Sequence, residues 1–237
     1  AAVTGAKLLL ANAPGAMIDL NRAPDDIDWE MFARADRPDN GSHMPSKRAR
    51  SGLGLIPRRV PGIGELWNRR HDQAELAARI SQIHEPYHAS LARALKRLRA
   101  RWGAAILLDL HSMPPIQPGA GLPAPEFVLG DRFGSTCHGG LVAAAFSYLN
   151  AQGRRVAHNR PYSGGYVLER HGAPNESFHA MQLEIDRSIY LDSRLVEPGD
   201  GFDSVVQVLV GLVRRLAAEI PSQGENGPDF RWPEAAE

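Results

Sequence analysis

The sequence predicts an α/β domain built on a largely parallel or mixed sheet, and three observations carry that expectation. Short apolar runs of strand character alternate along the chain with long segments of helical periodicity. The run AAILLDL begins with five apolar residues, Ala104 to Leu108, and then turns polar at Asp109 and His111. It reads as a fully buried strand whose end carries polar groups. In MQLEID, Met181, Leu183 and Ile185 alternate with Gln182, Glu184 and Asp186, the period-two signature of a strand with one apolar face.

The elements follow in order. KLLLA, residues 7–11, and AMIDL, residues 16–20, read as short strands around the turn-like NAPG. Residues 34–66 are rich in Gly, Pro, Arg and Ser and read as a long functional or mobile loop. Leu76, Ile80, Ile83, Tyr87, Leu91, Leu95 and Leu98 are spaced by three or four residues, so residues 72–101 read as one amphipathic helix. Asp72 is its expected N-cap and Gly103 its terminator, with a kink or break at Pro86. FVLG, residues 127–130, reads as a strand, and residues 138–151 as a helix ended by Gly153. RRVAHN and GGYVLE read as strands around the turn RPYSGG. A last helix spans 203–219 with Asp203 or Ser204 as N-cap. No repeat or linker divides the chain, so residues 1–221 read as one domain and 222–237 as a tail.

Composition narrows the function classes. Lys+Arg and Asp+Glu are both 27, so charge favours neither nucleic acid nor an anionic membrane as a partner. The single cysteine, Cys137, excludes an internal disulfide and fits a reducing, cytoplasmic compartment. No apolar run approaches the ~20 residues of a membrane span. The amino end lacks the basic start and long apolar core of a signal peptide. It also lacks an initiator methionine, and the chain reads as beginning part-way into a longer gene product.

In an open α/β sheet, ligands bind beyond the carboxyl ends of strands. That points to Asn21 with Arg22, Asp109 with His111, and Glu184 with Arg187. Two readings stand for each. Arg22 suits a substrate carboxylate through a bidentate guanidinium, and equally suits an ion pair with Asp25, Asp26 or Asp28. His111 reads as a metal ligand backed by Asp109, or as a packed histidine bonded to the backbone. Glu184 is a general base on a strand face looking into a cleft, or one member of a solvated face. His84 and His88 are four apart with Pro86 between them and read as surface or packing residues.

The motifs DLNRAPDDID, GLGLIPR, YHASL, LLDLHSMP, LGDRFGSTC, NRPYSGGYVLERHG and QLEIDRSIYLD, in this order, resemble the N-formylglutamate amidohydrolase family from about residue 6 to about residue 215. The family belongs to the zinc carboxypeptidase-like clan, and the resemblance implies a three-layer α/β/α sandwich on a mixed sheet. It also implies a zinc-dependent hydrolase of N-formyl or N-acyl acidic amino acids, acting in histidine degradation. Carried over residue by residue, His111 resembles the third zinc ligand and Glu184 the catalytic glutamate. Asn21 and Arg22 resemble the pair that grips the substrate carboxylate, with Arg187 and Arg170 as further carboxylate contacts. The family's first two zinc ligands belong to an earlier Pro-His-Ser-Gly segment and a following acid, which this sequence does not contain. The implied partner is a small acidic N-acyl amino acid, with no nucleic acid and no membrane. The alternatives are a metal-free carboxylate-binding relative without catalysis, and a carboxypeptidase or other N-acyl amino acid hydrolase.

Overall fold

A computed structural model describes residues 1–33, 37, 45–60, 64–118 and 123–220. The expected tail at 222–237 lies outside the described residues, as does part of the 34–66 loop. The chain divides into two compact units. One holds residues 9–93 with 165–167, and the other residues 1–8, 94–164 and those from 168 onward.

The 9–93 unit has little regular structure in its first half. KLLLA and AMIDL form no strands, and Leu8, Leu9 and Leu10 are exposed. Apolar runs make strands only where a neighbour completes the hydrogen-bond ladder, and none does so among the described residues. Helix α1 (Lys47–Arg50) is capped by Ser46, and strands β1 (Arg59–Val60) and β2 (Gly64–Glu65) form an antiparallel pair. The predicted long helix is realised in three pieces. Helix α2 (Gln73–Arg79) starts at Asp72, whose side chain accepts from Glu75 N, as expected. A π-helical turn, Ile80–His84, follows, and then α3 (Glu85–Trp102). The kink expected at Pro86 takes the form of this wide turn, in which Glu85 N reaches back to Ile80 O. Ile18, Ile27, Met31, Phe32, Leu55, Ile56 and Leu76 form the unit's core, with Ile80 and Ile83 packed against it.

The other unit carries the sheet. Strand β3 (Ala105–Met113), β4 (Phe127–Gly130), helix α4 (Gly139–Ala151), β5 (Val156–His158), helix α5 (Tyr166–His171), β6 (Phe178–Asp186) and helix α6 (Phe202–Glu219) follow in chain order. The strand order is β3-β6-β4-β5, with β3/β6 and β4/β5 parallel and β4/β6 antiparallel, so the sheet is mixed. Phe127, Leu129, Met181, Leu183 and Ile185 pack against Leu141, Ala145, Leu149, Val208, Leu212 and Leu216 of α4 and α6. This is the apolar half of the alternation seen in MQLEID.

Three expectations are corrected. Asp109 and His111 lie within β3, which is only partly buried, and not at the end of a fully buried strand. GGYVLE is not a strand, because Tyr166–His171 is helical. The N-cap of α6 is Gly201, not Asp203 or Ser204.

Candidate active-site residues

The polar half of the β3/β6 alternation is the candidate catalytic surface. The two strands run parallel in a register that places Asp109 opposite Gln182 and His111 opposite Glu184. Because side chains alternate across a strand, these four project from one face of the sheet. The Glu184 carboxylate is buried, as are Gln182 and Asp186, which removes the reading of a solvated strand face. Gln182 Nε2 donates to Glu184 Oε1 at 2.7 Å. Burial pushes the Glu184 carboxyl above the ordinary carboxylate value. The His111 ring opposes that shift, the Asp109 charge reinforces it, and Gln182 and Arg187 oppose it.

Asp109 Oδ2 lies 2.8 Å from His111 Nε2. A carboxylate accepts, so Nε2 carries the proton, and in the neutral ring the lone pair sits on Nδ1. This is the arrangement in which a carboxylate orients an imidazole for a metal or a proton. Among the described residues, no group of three His, Cys, Asp or Glu side chains is placed to hold a metal ion. A catalytic zinc takes three protein ligands and a water. The described residues therefore do not make a zinc site by themselves, and His111 is the one expected ligand they contain.

Arg187 follows β6 directly, and its Nε donates to Ser112 Oγ of β3 at 3.2 Å. Arg170 is exposed on α5. Its neighbour His171 is a residue that sequence spacing did not single out. Burial holds the His171 ring down to about 4, with the Arg170 charge adding to the effect and the Asp109 charge opposing it. The ring is therefore neutral at physiological pH, within electrostatic reach of Asp109.

In the 9–93 unit, Asn21 and Arg22 lie in a turn. Arg22 Nε donates to Leu53 O at 3.1 Å and pairs with Asp19 Oδ2 at 3.4 Å. Two of the three expected partners are engaged elsewhere: Asp28 pairs with Arg58 at 2.8 Å, and Asp26 accepts from the backbone and hydroxyl of Ser46. A part-exposed pair such as Arg22–Asp19 contributes about 1 kcal/mol or less. Both contacts use Nε, so among the described residues they leave the terminal nitrogens to serve as donors. Asn21 Oδ1 accepts from Val167 N at 2.9 Å, and Asn21 O accepts from Tyr166 N at 3.3 Å, so this residue caps the start of α5. Gly165 permits that approach, since a Cβ there would stand 2.4 Å from Asn21 Oδ1.

The family profile described as N-formylglutamate amidohydrolase matches residues 1–191. The N-formylglutamate deformylase of Pseudomonas putida is 31% identical over 226 residues, covering 93% of this chain and 76% of that protein. The Pseudomonas aeruginosa N-formylglutamate deformylase is 28% identical over 199 residues, covering 80% of this chain and 66% of that protein. A crystal structure of an N-formylglutamate amidohydrolase from Ralstonia eutropha JMP134 aligns with a TM-score of 0.78 at 35% identity, over 88% of this chain and 75% of that one. The Agrobacterium tumefaciens gene product Atu2144, at 16% identity and a TM-score of 0.56, shares the fold. The fold and the polar strand face are those of an α/β protein on a mixed sheet, and the chain belongs to the N-formylglutamate amidohydrolase family.

Proposed function

We propose that this protein hydrolyses the amide bond of an N-formyl acidic amino acid, with N-formylglutamate as substrate and formate and glutamate as products. The observation that carries the reading is the buried Glu184 carboxylate, raised above its ordinary value and opposite His111, in a chain of this family. Glu184 takes a proton from the attacking water as the C–O bond forms. It delivers that proton to the leaving amine as the C–N bond breaks. A carboxylate with a raised pKa suits both halves of this exchange. Asp109 orients His111, and Gln182 holds one oxygen of Glu184 so that the other faces the water.

Asn21 and Arg22 bind a substrate carboxylate, Arg22 through its terminal guanidinium nitrogens. Arg187 and Arg170 are further carboxylate contacts. Zinc is the metal expected on His111, where it would polarise the formyl carbonyl. Formate release from N-formyl-L-glutamate by the purified protein is the test. Release from neutral N-formyl amino acids at an equal or higher rate would sink the acidic-substrate reading. Binding of glutamate with no turnover of any N-acyl amino acid would favour the non-catalytic relative.

A further inference from the structure

Leu20, Asn21 and Arg22 form no helix or strand, so no regular ladder satisfies their carbonyls. Each of the three nevertheless has its own donor. His88 Nε2 lies 3.0 Å from Leu20 O, Tyr166 N lies 3.3 Å from Asn21 O, and His84 Nε2 lies 3.0 Å from Arg22 O. A carbonyl only accepts, so both imidazoles donate through Nε2.

His84 ends the π-helical turn and His88 lies one helical turn on in α3, with Pro86 between them. Their ring centroids are 4.4 Å apart. They are 1% and 0% exposed. Tyr166 stacks on His84 at 5.7 Å and meets His88 edge-on at 5.2 Å, which fixes both rings. Packing alone would be satisfied by leucine or phenylalanine at these positions. Apolar residues there would leave the Leu20 and Arg22 carbonyls without these donors, and an unmet polar group away from water is costly.

We propose that His84 and His88 are positioning residues for the carboxylate clamp. They grip the backbone on either side of Asn21, and so fix the direction in which the Asn21 amide and the Arg22 guanidinium leave the chain. This rests on the reading of Asn21 and Arg22 as the clamp. A site of this kind discriminates only when its donors are held to within about 0.5 Å, which a turn without ladder hydrogen bonds does not achieve unaided.

The test uses paired substitutions. Glutamine places an N–H near the position of Nε2, whereas the shorter asparagine places it near Nδ1 and falls short of the carbonyl. His84→Gln, His84→Asn, His88→Gln, His88→Asn and Arg22→Ala are compared by kcat/KM for N-formyl-L-glutamate relative to its α-amide and to N-formyl-L-glutamine. The ratio of acid to amide within one variant cancels any loss of folded protein. The asparagine variants should lose about tenfold of that selectivity, with the glutamine variants retaining it. Equal ratios in the asparagine and glutamine variants would overturn the hydrogen-bonding role. If Arg22→Ala loses selectivity while every histidine variant keeps it, the positioning proposal fails and the clamp stands. If Arg22→Ala keeps the selectivity, the clamp fails and takes the proposal with it.

Discussion

His111 and Glu184 are register partners on adjacent parallel strands, and each is braced by the residue two positions before it on its own strand. Asp109 holds the imidazole at 2.8 Å and Gln182 holds the carboxylate at 2.7 Å. The period-two geometry of a strand makes this possible, since positions i and i+2 share a face. The sheet thus presents two braced titratable groups side by side, with a packed apolar core on its reverse.

Glu184→Gln should abolish most turnover while leaving binding intact. A general base contributes at least about a hundredfold, so kcat should fall by that factor or more. The amide fills the same volume without bringing a charge into a buried position, so the variant should fold at least as stably. Steady-state kinetics and calorimetric titration with glutamate provide the two measurements. Turnover within threefold of the parent, a bound of about 0.7 kcal/mol, would remove Glu184 from the chemistry.

The face bearing Glu184 was legible because strand alternation is local: MQLEID states its own pattern, and the helix ends at Asp72 and Gly103 carry local caps. What was not legible depended on distant residues. GGYVLE has the aromatic and β-branched residues of a strand, but Asn21 supplies a capping oxygen to Val167 N from 146 residues away and the segment becomes a helix. KLLLA has strand propensity and no ladder partner among the described residues. The Arg22–Asp19 pair was not legible for a related reason. Asp26 and Asp28 are near in sequence, yet Ser46 and Arg58 occupy them, while Asp19 accepts from Asn21 N and pairs with Arg22. His84 and His88 read as surface or packing residues, since nothing local shows that two carbonyls lie within hydrogen-bond reach of their Nε2 atoms.

Arg22→Ala should lower kcat/KM for N-formylglutamate by about ten- to a hundredfold, the range of a hydrogen bond to a charged group. The matching neutral amides should be nearly unaffected. Asp19→Asn, which weakens only the ion pair, should change either value far less. A fall in thermal stability without the selective kinetic effect would make Arg22 a structural residue tied to Asp19 and Leu53.

Zinc content tests His111 independently of activity. Purified together with the Pro-His-Ser-Gly segment and following acid that the family resemblance implies, the protein should carry zinc in proportion to chain, and His111→Ala should reduce that content while Glu184→Gln should not. Elemental analysis after dialysis makes the measurement. A zinc content unchanged in His111→Ala would show that the metal is held elsewhere, and none in the parent protein would favour the metal-free reading.

Gly211 lies inside α6, where alanine ordinarily stabilises a helix by about 1 kcal/mol. Here the sign should reverse. A Cβ at position 211 would stand 1.9 Å from the Tyr148 hydroxyl and 2.6 Å from its Cζ, so the Tyr148 ring would have to leave its present position. Gly211→Ala should therefore lower the unfolding midpoint. Combined with Tyr148→Ala, it should cost at least about 1 kcal/mol less than the sum of the single changes. Additive losses in urea unfolding would place the origin of the glycine elsewhere.

His171 should make stability fall on acidification over a defined window. Its ring titrates near 4 in the fold, against an ordinary 6.5, because burial disfavours the imidazolium and the Arg170 charge adds to that, while Asp109 opposes it. Between those two values the unfolded chain binds a proton that the folded chain refuses. The sign is thus fixed: the contribution is fully present above pH 6.5 and is lost as pH falls from there through 4. A shift of this size corresponds to a loss on the order of 3 kcal/mol. His171→Gln keeps hydrogen-bonding capacity without the proton uptake, so its stability should fall less over the same window. Urea unfolding of both proteins near neutrality and near pH 4 isolates the difference, because every other titrating group is common to the two. Equal losses in parent and variant would mean that His171 accepts its proton in the folded state and is not held neutral beside Asp109.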